Sequence, residues 1–356
     1  MLEHLVSNLA KALRYSQKSD LVTSLLPRTV GSRTLSRPLC SSHSRRQHQR
    51  QQRHITTAMA QPPLESPAFT GKVVSAMRSL YPEELADRSW DNVGLLLENI
   101  NRPQEPEQPT VLVTNDLTIK VAEEAIRRKA SVIVSYHPFI FRPMKAVGLS
   151  DPHQRILLQL AQHNIAVYCP HTAVDAAPGG MNDWLADMLN GRFDVARRSV
   201  VQSITSPLPQ GFEGAGYGRL VELARPVSLS EIVKAYSEGL GMRYLMVARP
   251  KTVGQQMNPV RSVAVCAGSG YDVLKNSPAD LLVTGEMTHH NALKATMEGK
   301  CVITVFHSNS ERKFLRDRLQ PQLQELLRRD IQAAEVLVSE EDEDPFEIWD
   351  VRDLAI

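Results

Sequence analysis

Val302-Ile303-Thr304-Val305-Phe306-His307-Ser308-Asn309-Ser310-Glu311 is the stretch that decides how this chain is read. A β-branched apolar run breaks off at a histidine, and a glutamate follows four residues later. If Val302 to Phe306 is a strand and a helix starts near Ser308, His307 sits on the turn and Glu311 lies in the first helical turn. Both then face the space beyond the strand's carboxyl end, where open α/β sheets bind their ligands. Imidazole and carboxylate together suit a divalent cation of the zinc, iron or manganese type. A His-x3-Glu alone is a weak pattern, so its weight comes from the rest of the chain.

Upstream the same punctuation recurs. Val111-Leu112-Val113-Thr114 reads as a strand ending at Asn115-Asp116, with helical spacing from Ile119 to Lys129. Ser131 to Val134 ends at Ser135-Tyr136-His137-Pro138, and Gln154 to His163 is helical. Ile165 to Tyr168 ends at Cys169-Pro170-His171-Thr172-Ala173-Val174-Asp175, and Met181 to Leu189 is helical again. After a connector at 199–218, strands are expected at Arg219 to Leu223, Arg243 to Val247, Val263 to Cys266 and Leu281 to Val283. Helices are expected at 70–80, Leu229 to Leu240 and Glu311 to Leu327, and Val336 to Val338 is a last short strand. Such alternation predicts an α/β fold with mostly parallel sheets flanked by helices. Residues 249–260 read as a loop, and the acidic run Glu340 to Asp344 as a solvated turn.

Polar groups gather at one kind of position. Asp116, His137, His171, Asp175, Glu286 and His307 all lie at or just past a strand's carboxyl end. In a parallel sheet those ends share one edge, so residues far apart in sequence can converge there. Singly, each has a bland account: Asp, Ser and Asn cap helices after strands, and a lone histidine is more often not a ligand. At equivalent positions they make a shared site as fair a reading as capping. The turn Ala267-Gly268-Ser269-Gly270 lacks the spacing of a nucleotide-binding loop and reads as an ordinary strand–helix connection. Ser89-Trp90-Asp91-Asn92-Val93-Gly94 reads either as a tight functional loop or as a turn whose tryptophan plugs the core.

The net charge of +2 is unevenly spread. Residues 1–64 hold ten Lys and Arg against Glu3 and Asp20, a contribution of +8, so residues 65–356 carry −6. An acidic body argues against general nucleic-acid binding. The basic, acid-poor start, with Leu2, Leu5, Val6, Leu9 and Leu13 on one helical face, reads as a mitochondrial targeting segment. Met59 would then be an internal start for a cytoplasmic form. Four scattered cysteines, with no paired spacing, suit a reducing compartment and buried apolar roles. No apolar run is long enough to span a bilayer.

Taken in order, Trp90 to Leu95, Ser135 to Pro138, His171 to Asp175, Val265 to Gly270, Thr284-Gly285-Glu286 and His307-x3-Glu311-Arg312 resemble the NIF-three-like family (NGG-one interacting factor three), also labelled GTP cyclohydrolase I type 2 homologues. The resemblance covers roughly residues 67 to 350. It implies two related, intertwined α/β lobes with a two-metal site in the cleft, assembled into toroidal hexamers. The corresponding division is a basic extension over 1–64, a first lobe over 67–198, a second over 199–300, and a returning segment over 301–356 that completes the first. It further implies that His137, Asp175 and Glu311 hold one metal, and that His307 with the bridging Glu311 holds the other. Bacterial members carry a His-His pair where this chain has Tyr136-His137, which removes a ligand of the second metal.

Two functions follow. The leading one is a metal-dependent hydrolase acting on a nucleotide-like or other small substrate, with Glu286 as general base and His171 or His289 supporting the leaving group. The other is a non-enzymatic protein that stores or delivers metal, or partners regulatory proteins. Tyr136 divides them: losing a bridging ligand costs two-metal hydrolysis more than it costs a carrier.

Overall fold

In the computed structural model the β-branched runs pair into two sheets; residues 66–100, 106–251 and 259–350 are described. The basic extension, Met59 and most of the loop at 249–260 lie outside the described residues. Residues Pro63–Ile356 belong to one compact unit. In chain order the strands are β1 (Gly94–Leu97), β2 (Thr110–Thr114), β3 (Val132–Ser135), β4 (Ala166–Cys169) and β5 (Val195–Ser203). Then come β6 (Gly216–Val227), β7 (Met246–Ala248), β8 (Val260–Cys266), β9 (Leu281–Thr284), β10 (Cys301–Thr304) and β11 (Glu335–Val338).

The first sheet has the order β1-β4-β3-β2-β11 and the second β5-β6-β8-β9-β10-β7. In the first, only β1 runs antiparallel, against β4. The second is mixed rather than mostly parallel: β8, β9 and β10 are parallel, while β5, β6 and β7 each pair antiparallel. Parallel neighbours need a crossover helix between them. The chain from β5 to β6 has none, so the two strands meet as a ribbon. After β10, still in the second sheet, the chain returns to the first through a helical segment and β11, which pairs with β2.

That segment is not one continuous helix. Arg312–Phe314 and Gln320–Asp330 are α-helical, but Leu315–Leu319 widens into a π-turn. Pro321 has no N–H and its ring crowds the carbonyl four residues back, which falls inside the wide turn. Other helices start and stop where the sequence dictates. Ser228 and Glu231 form a capping box on Leu229–Leu240, and Gly241 closes it in the left-handed conformation, φ +73°.

One face of each sheet meets in a shared core. Val111, Val113, Val132 and Val134 pack with Val263, Val265, Val283 and Ile303 across a layer that includes Phe314, Leu319 and Leu323. The outer face of the first sheet (Leu112, Ile133, Val167) is covered by Ile119–Arg127 and Pro152–Gln162, and that of the second (Ala264, Leu282, Val302) by Tyr271–Leu274 and His289–Met297. Each fully buried Val or Leu contributes about 1.5–3 kcal/mol relative to exposure. Cys169, Cys266 and Cys301 are buried free thiols, the apolar role expected of them. No helix among the described residues is long and apolar enough to cross a membrane.

A buried arginine pins a helix to the second sheet. Arg219 on β6, 2% exposed, makes a two-pronged pair with Asp183 of the helix Met181–Asp187, at 2.8 and 2.9 Å. It also donates to the carbonyls of Gly216, Gly218 and Ala177. Burial pushes the Asp183 carboxyl up, but the hydrogen bond and charge of Arg219 and the Gly179 N–H outweigh it, and the net shift is downward. A depressed carboxyl contributes its stability above its unfolded value and loses it as pH falls through the folded one. Arg219→Met is expected to destabilise the chain by about 3–5 kcal/mol. It should also flatten the loss of stability from about pH 5 downward, read by denaturant unfolding at a series of pH values.

Candidate metal centre

Register brings the strand ends level. Thr114 lies opposite Ser135 in the first sheet, and Cys266 and Thr304 both lie opposite Thr284 in the second. The residues just beyond them therefore share a seam between the two sheets. His137, His307 and Glu311 meet there, with one ligand-type atom from each lying within 4.8 Å of the others. His137 Nε2 lies 3.5 Å from Glu311 Oε2, and His307 Nε2 lies 3.4 Å from Glu311 Oε1. These separations are too long for good hydrogen bonds.

Each imidazole is held from behind. Asp116 Oδ1 sits 2.9 Å from His137 Nδ1, and Glu286 Oε1 sits 3.0 Å from His307 Nδ1. A carboxylate can only accept, so each Nδ1 is the donor to it, and a neutral ring held this way has Nε2 free to ligate a metal. Both Nε2 atoms and both oxygens of one carboxylate thus face a common point, a donor set that suits a cation. Glu311 is 1% exposed. Its carboxyl is pushed well up by burial, against the Asn115 amide (3.1 Å) and with the charges of Asp175 and Asp116 adding to the rise.

The backbone is shaped to this end. Glu311 does not lie in a first helical turn; a short 3₁₀ turn, Ser308–Ser310, precedes it, and it stands at φ −128° just before the helix. The strand stops at Thr304, and Phe306 takes φ +62°, a left-handed conformation that costs a non-glycine residue of order 1–3 kcal/mol. His171 likewise has φ +25°. At Gly268, φ +58°, a Cβ would stand 2.7 Å from Glu311 Oε1 and 3.2 Å from His307 Nε2. The glycine leaves open the space a cation would need. Its N–H is given to Ser310 Oγ and that of Gly270 to Thr284 Oγ1, so those donors serve the turn.

The remaining expected residues fall around the triad in different roles. Asp175 lines the same cavity, but its Oδ1 accepts from Tyr136 OH at 2.6 Å, and burial raises its carboxyl despite His171 and Tyr136. His171 is turned by Asp91, Oδ1 to Nδ1 2.8 Å, and its ring lies 5.4 Å from that of His137. Glu286 is engaged with His307 and with Ser269 Oγ (2.5 Å), so it orients an imidazole. His289 is exposed on its helix and is not among the cavity residues.

The acidic run 340–344 is only in part a solvated turn. Asp342 Oδ2 accepts the Asn115 N–H at 2.7 Å, and Asp344 Oδ2 accepts from Ser308 Oγ and Asn309 Nδ2 at 2.8 and 3.1 Å. Asp342 also lies 3.4 Å from Arg312 Nε. The run therefore clasps the loop after β2, which carries Asn115 and Asp116, and the turn after β10, which carries His307. Asp91 and Asp342 escaped the sequence reading as partners. Nothing in the sequence pairs Asp91 with His171, and Asp342 lies 227 residues from the atom it holds.

Gly268→Ala is expected to abolish metal uptake measured by elemental analysis. Gly241→Ala, equally left-handed but with nothing within 4 Å of the added carbon, should cost only backbone strain. Asp342→Asn is expected to weaken metal affinity about tenfold, as removal of an orienting partner does, read by competition with a chelator.

The chain matches the profile of Duf34/NIF3 (NGG1p interacting factor 3) over residues 70–345. It is 44% identical over 280 residues to the protein NIF3 homolog of Schizosaccharomyces pombe, covering 78% of this chain and 97% of that one. It is 40% identical over 286 residues to the NGG1-interacting factor 3 of Saccharomyces cerevisiae, covering 78% and 96%. The fold is similar to that of a Bacillus cereus protein related to NIF3, with a TM-score of 0.65 at 23% identity, covering 78% and 98%. On sequence and fold together, this chain belongs to the Duf34/NIF3 family.

Proposed function

We propose that the protein is a metal-dependent hydrolase of a small, nucleotide-like or ring-bearing substrate. The observation that carries this reading is the convergence of two imidazole Nε2 atoms and both Glu311 oxygens on a cavity of about 710 Å³. Structural zinc sites are closed by four protein ligands, whereas catalytic ones keep a position open. His137, Glu311 and His307 would hold an ion of the zinc, iron or manganese type. When bound, such an ion acts as a Lewis acid and makes water a nucleophile near neutral pH.

The chain's own residues supply the rest. Asp116 and Glu286 fix the two ligand rings, and Asn115 steadies Glu311. His171, with Nδ1 committed to Asp91, has Nε2 left to accept and return a proton. Asp175 and Tyr136 line the wall beside it.

A carrier or an interaction protein is the second reading, favoured by Tyr136. Its hydroxyl is spent on Asp175, so the residue that interrupts the His-His pair adds no evident ligand. The name of the Saccharomyces cerevisiae relative, NGG1-interacting factor 3, points the same way.

The test is metal analysis of protein purified without added metal, paired with a turnover screen on nucleotides and phosphoesters. Stoichiometric metal with turnover is expected, and metal without turnover on any compound favours the carrier. Glu311→Gln should lose most bound metal, since it removes the only charge among the three ligands. His307→Ala should lower occupancy less than Glu311→Gln. A Glu311→Gln variant with wild-type metal content would sink the reading.

A further inference from the structure

Trp90 is 52% exposed and Phe141 46% exposed, and both line the cavity that holds the triad. Large aromatic side chains left half in water at the mouth of a cavity mark a place where something else covers them. These two are a pair, with ring centroids 6.1 Å apart. Trp90 also meets His171 edge-on at 5.8 Å, and His171 in turn stands 5.4 Å from His137. A continuous run of rings therefore leads from the rim to the metal ligands.

The rim is built to stay in place. Asp91, next to Trp90, is buried and holds His171 Nδ1, the Thr172 N–H and the Thr172 hydroxyl. Asn92 Nδ2 donates to the Ile140 carbonyl at 2.5 Å, which joins the Trp90 loop to the Phe141 loop. A held aromatic face loses little conformational entropy when a flat partner stacks on it. Gln202 on β5 also lines this cavity, and its amide can both donate and accept.

We propose that Trp90 and Phe141 form a stacking platform for a planar heteroaromatic ring, which holds the substrate while its reacting group reaches the triad. The platform rests on the hydrolase reading for its purpose, but its ring preference can be measured apart from turnover and from metal content. An indole face accepts any flat π-system. Gln202 adds preference for a ring with polar atoms on its edge.

The test titrates the full chain, loaded with zinc, with three ribonucleotides of different ring (AMP, UMP and nicotinamide mononucleotide) and with ribose 5-phosphate. The last shares the sugar and phosphate and lacks the ring, so it cancels any affinity of the phosphate for metal. At least one nucleotide is expected to bind about tenfold or more tightly than ribose 5-phosphate. Trp90→Leu should remove about 10–100-fold of that advantage, while Trp90→Phe, which keeps an aromatic face, retains most of it. Phe141→Leu should give a smaller loss. Equal affinity for all four probes overturns the platform, as does a ring preference that survives Trp90→Leu. A change of sedimentation in Trp90→Leu overturns it too, because a second copy of the chain would then be the covering partner. Metal content measured on the same samples separates the two readings. Full metal with no ring preference removes the platform alone; no metal, with a ring preference lost in Trp90→Leu, removes the hydrolase and leaves the platform.

Discussion

A carboxylate sealed between two sheets governs this structure. Glu311 has no lysine or arginine within ion-pair distance among the described residues, and only the Asn115 amide donates to it. An isolated charge in such a place costs several kcal/mol. The neighbours raise that cost, because Asp116 and Asp175 add negative charge. Burial therefore favours the protonated carboxyl unless a cation stands among Glu311 and the two imidazole Nε2 atoms that approach it. The left-handed Phe306, the bare Cα of Gly268 and the π-turn after Phe314 all lie within the segments that deliver these groups.

The parts legible in the sequence are those set by local rules. Runs such as Val111 to Thr114 and Leu281 to Val283 can only be buried strands, and the helix Leu229–Leu240 carries its own caps. His137 and His307 were findable because a strand's carboxyl end is a position visible in sequence. Relationships between distant segments were not. The antiparallel pairing of β5 and β6 follows from the lack of a crossover helix, which shows in sequence only as an uninformative connector. The inward turn of Asp342 and Asp344 could not be told from solvated acidity, since both readings need the same residues. Glu286 was placed rightly at a strand end, but a carboxylate that orients a histidine and one that abstracts a proton look alike until the distance to Nδ1 is known.

Position 136 shows how one residue redistributes a site. A phenol beside Asp175 donates its only proton to that carboxylate, whereas an imidazole there could have offered a lone pair. Asp175 is thereby supplied with a neutral partner. Burial raises the Tyr136 hydroxyl well above its ordinary value, with Asp175 adding to the effect, so the phenol keeps its proton. The cluster that remains consists of His137, His307 and Glu311, three candidate ligands placed by both sheets.

That last point has a mechanical consequence. His137 follows β3 of the first sheet, and His307 and Glu311 follow β10 of the second. A cation among them would join residues of the two sheets that lie far apart in the chain. Its binding free energy is therefore shared with the docking of one sheet on the other. The acidic clasp does the same from outside, since Asp342 grips the loop after β2 and Asp344 the turn after β10. Arg219 instead fixes the helix Met181–Asp187, which follows the first sheet in the chain, to β6 of the second, and that tie needs no ion. A site assembled this way is preorganised by the fold, so most of the cost of bringing its donor atoms together is met before a cation arrives.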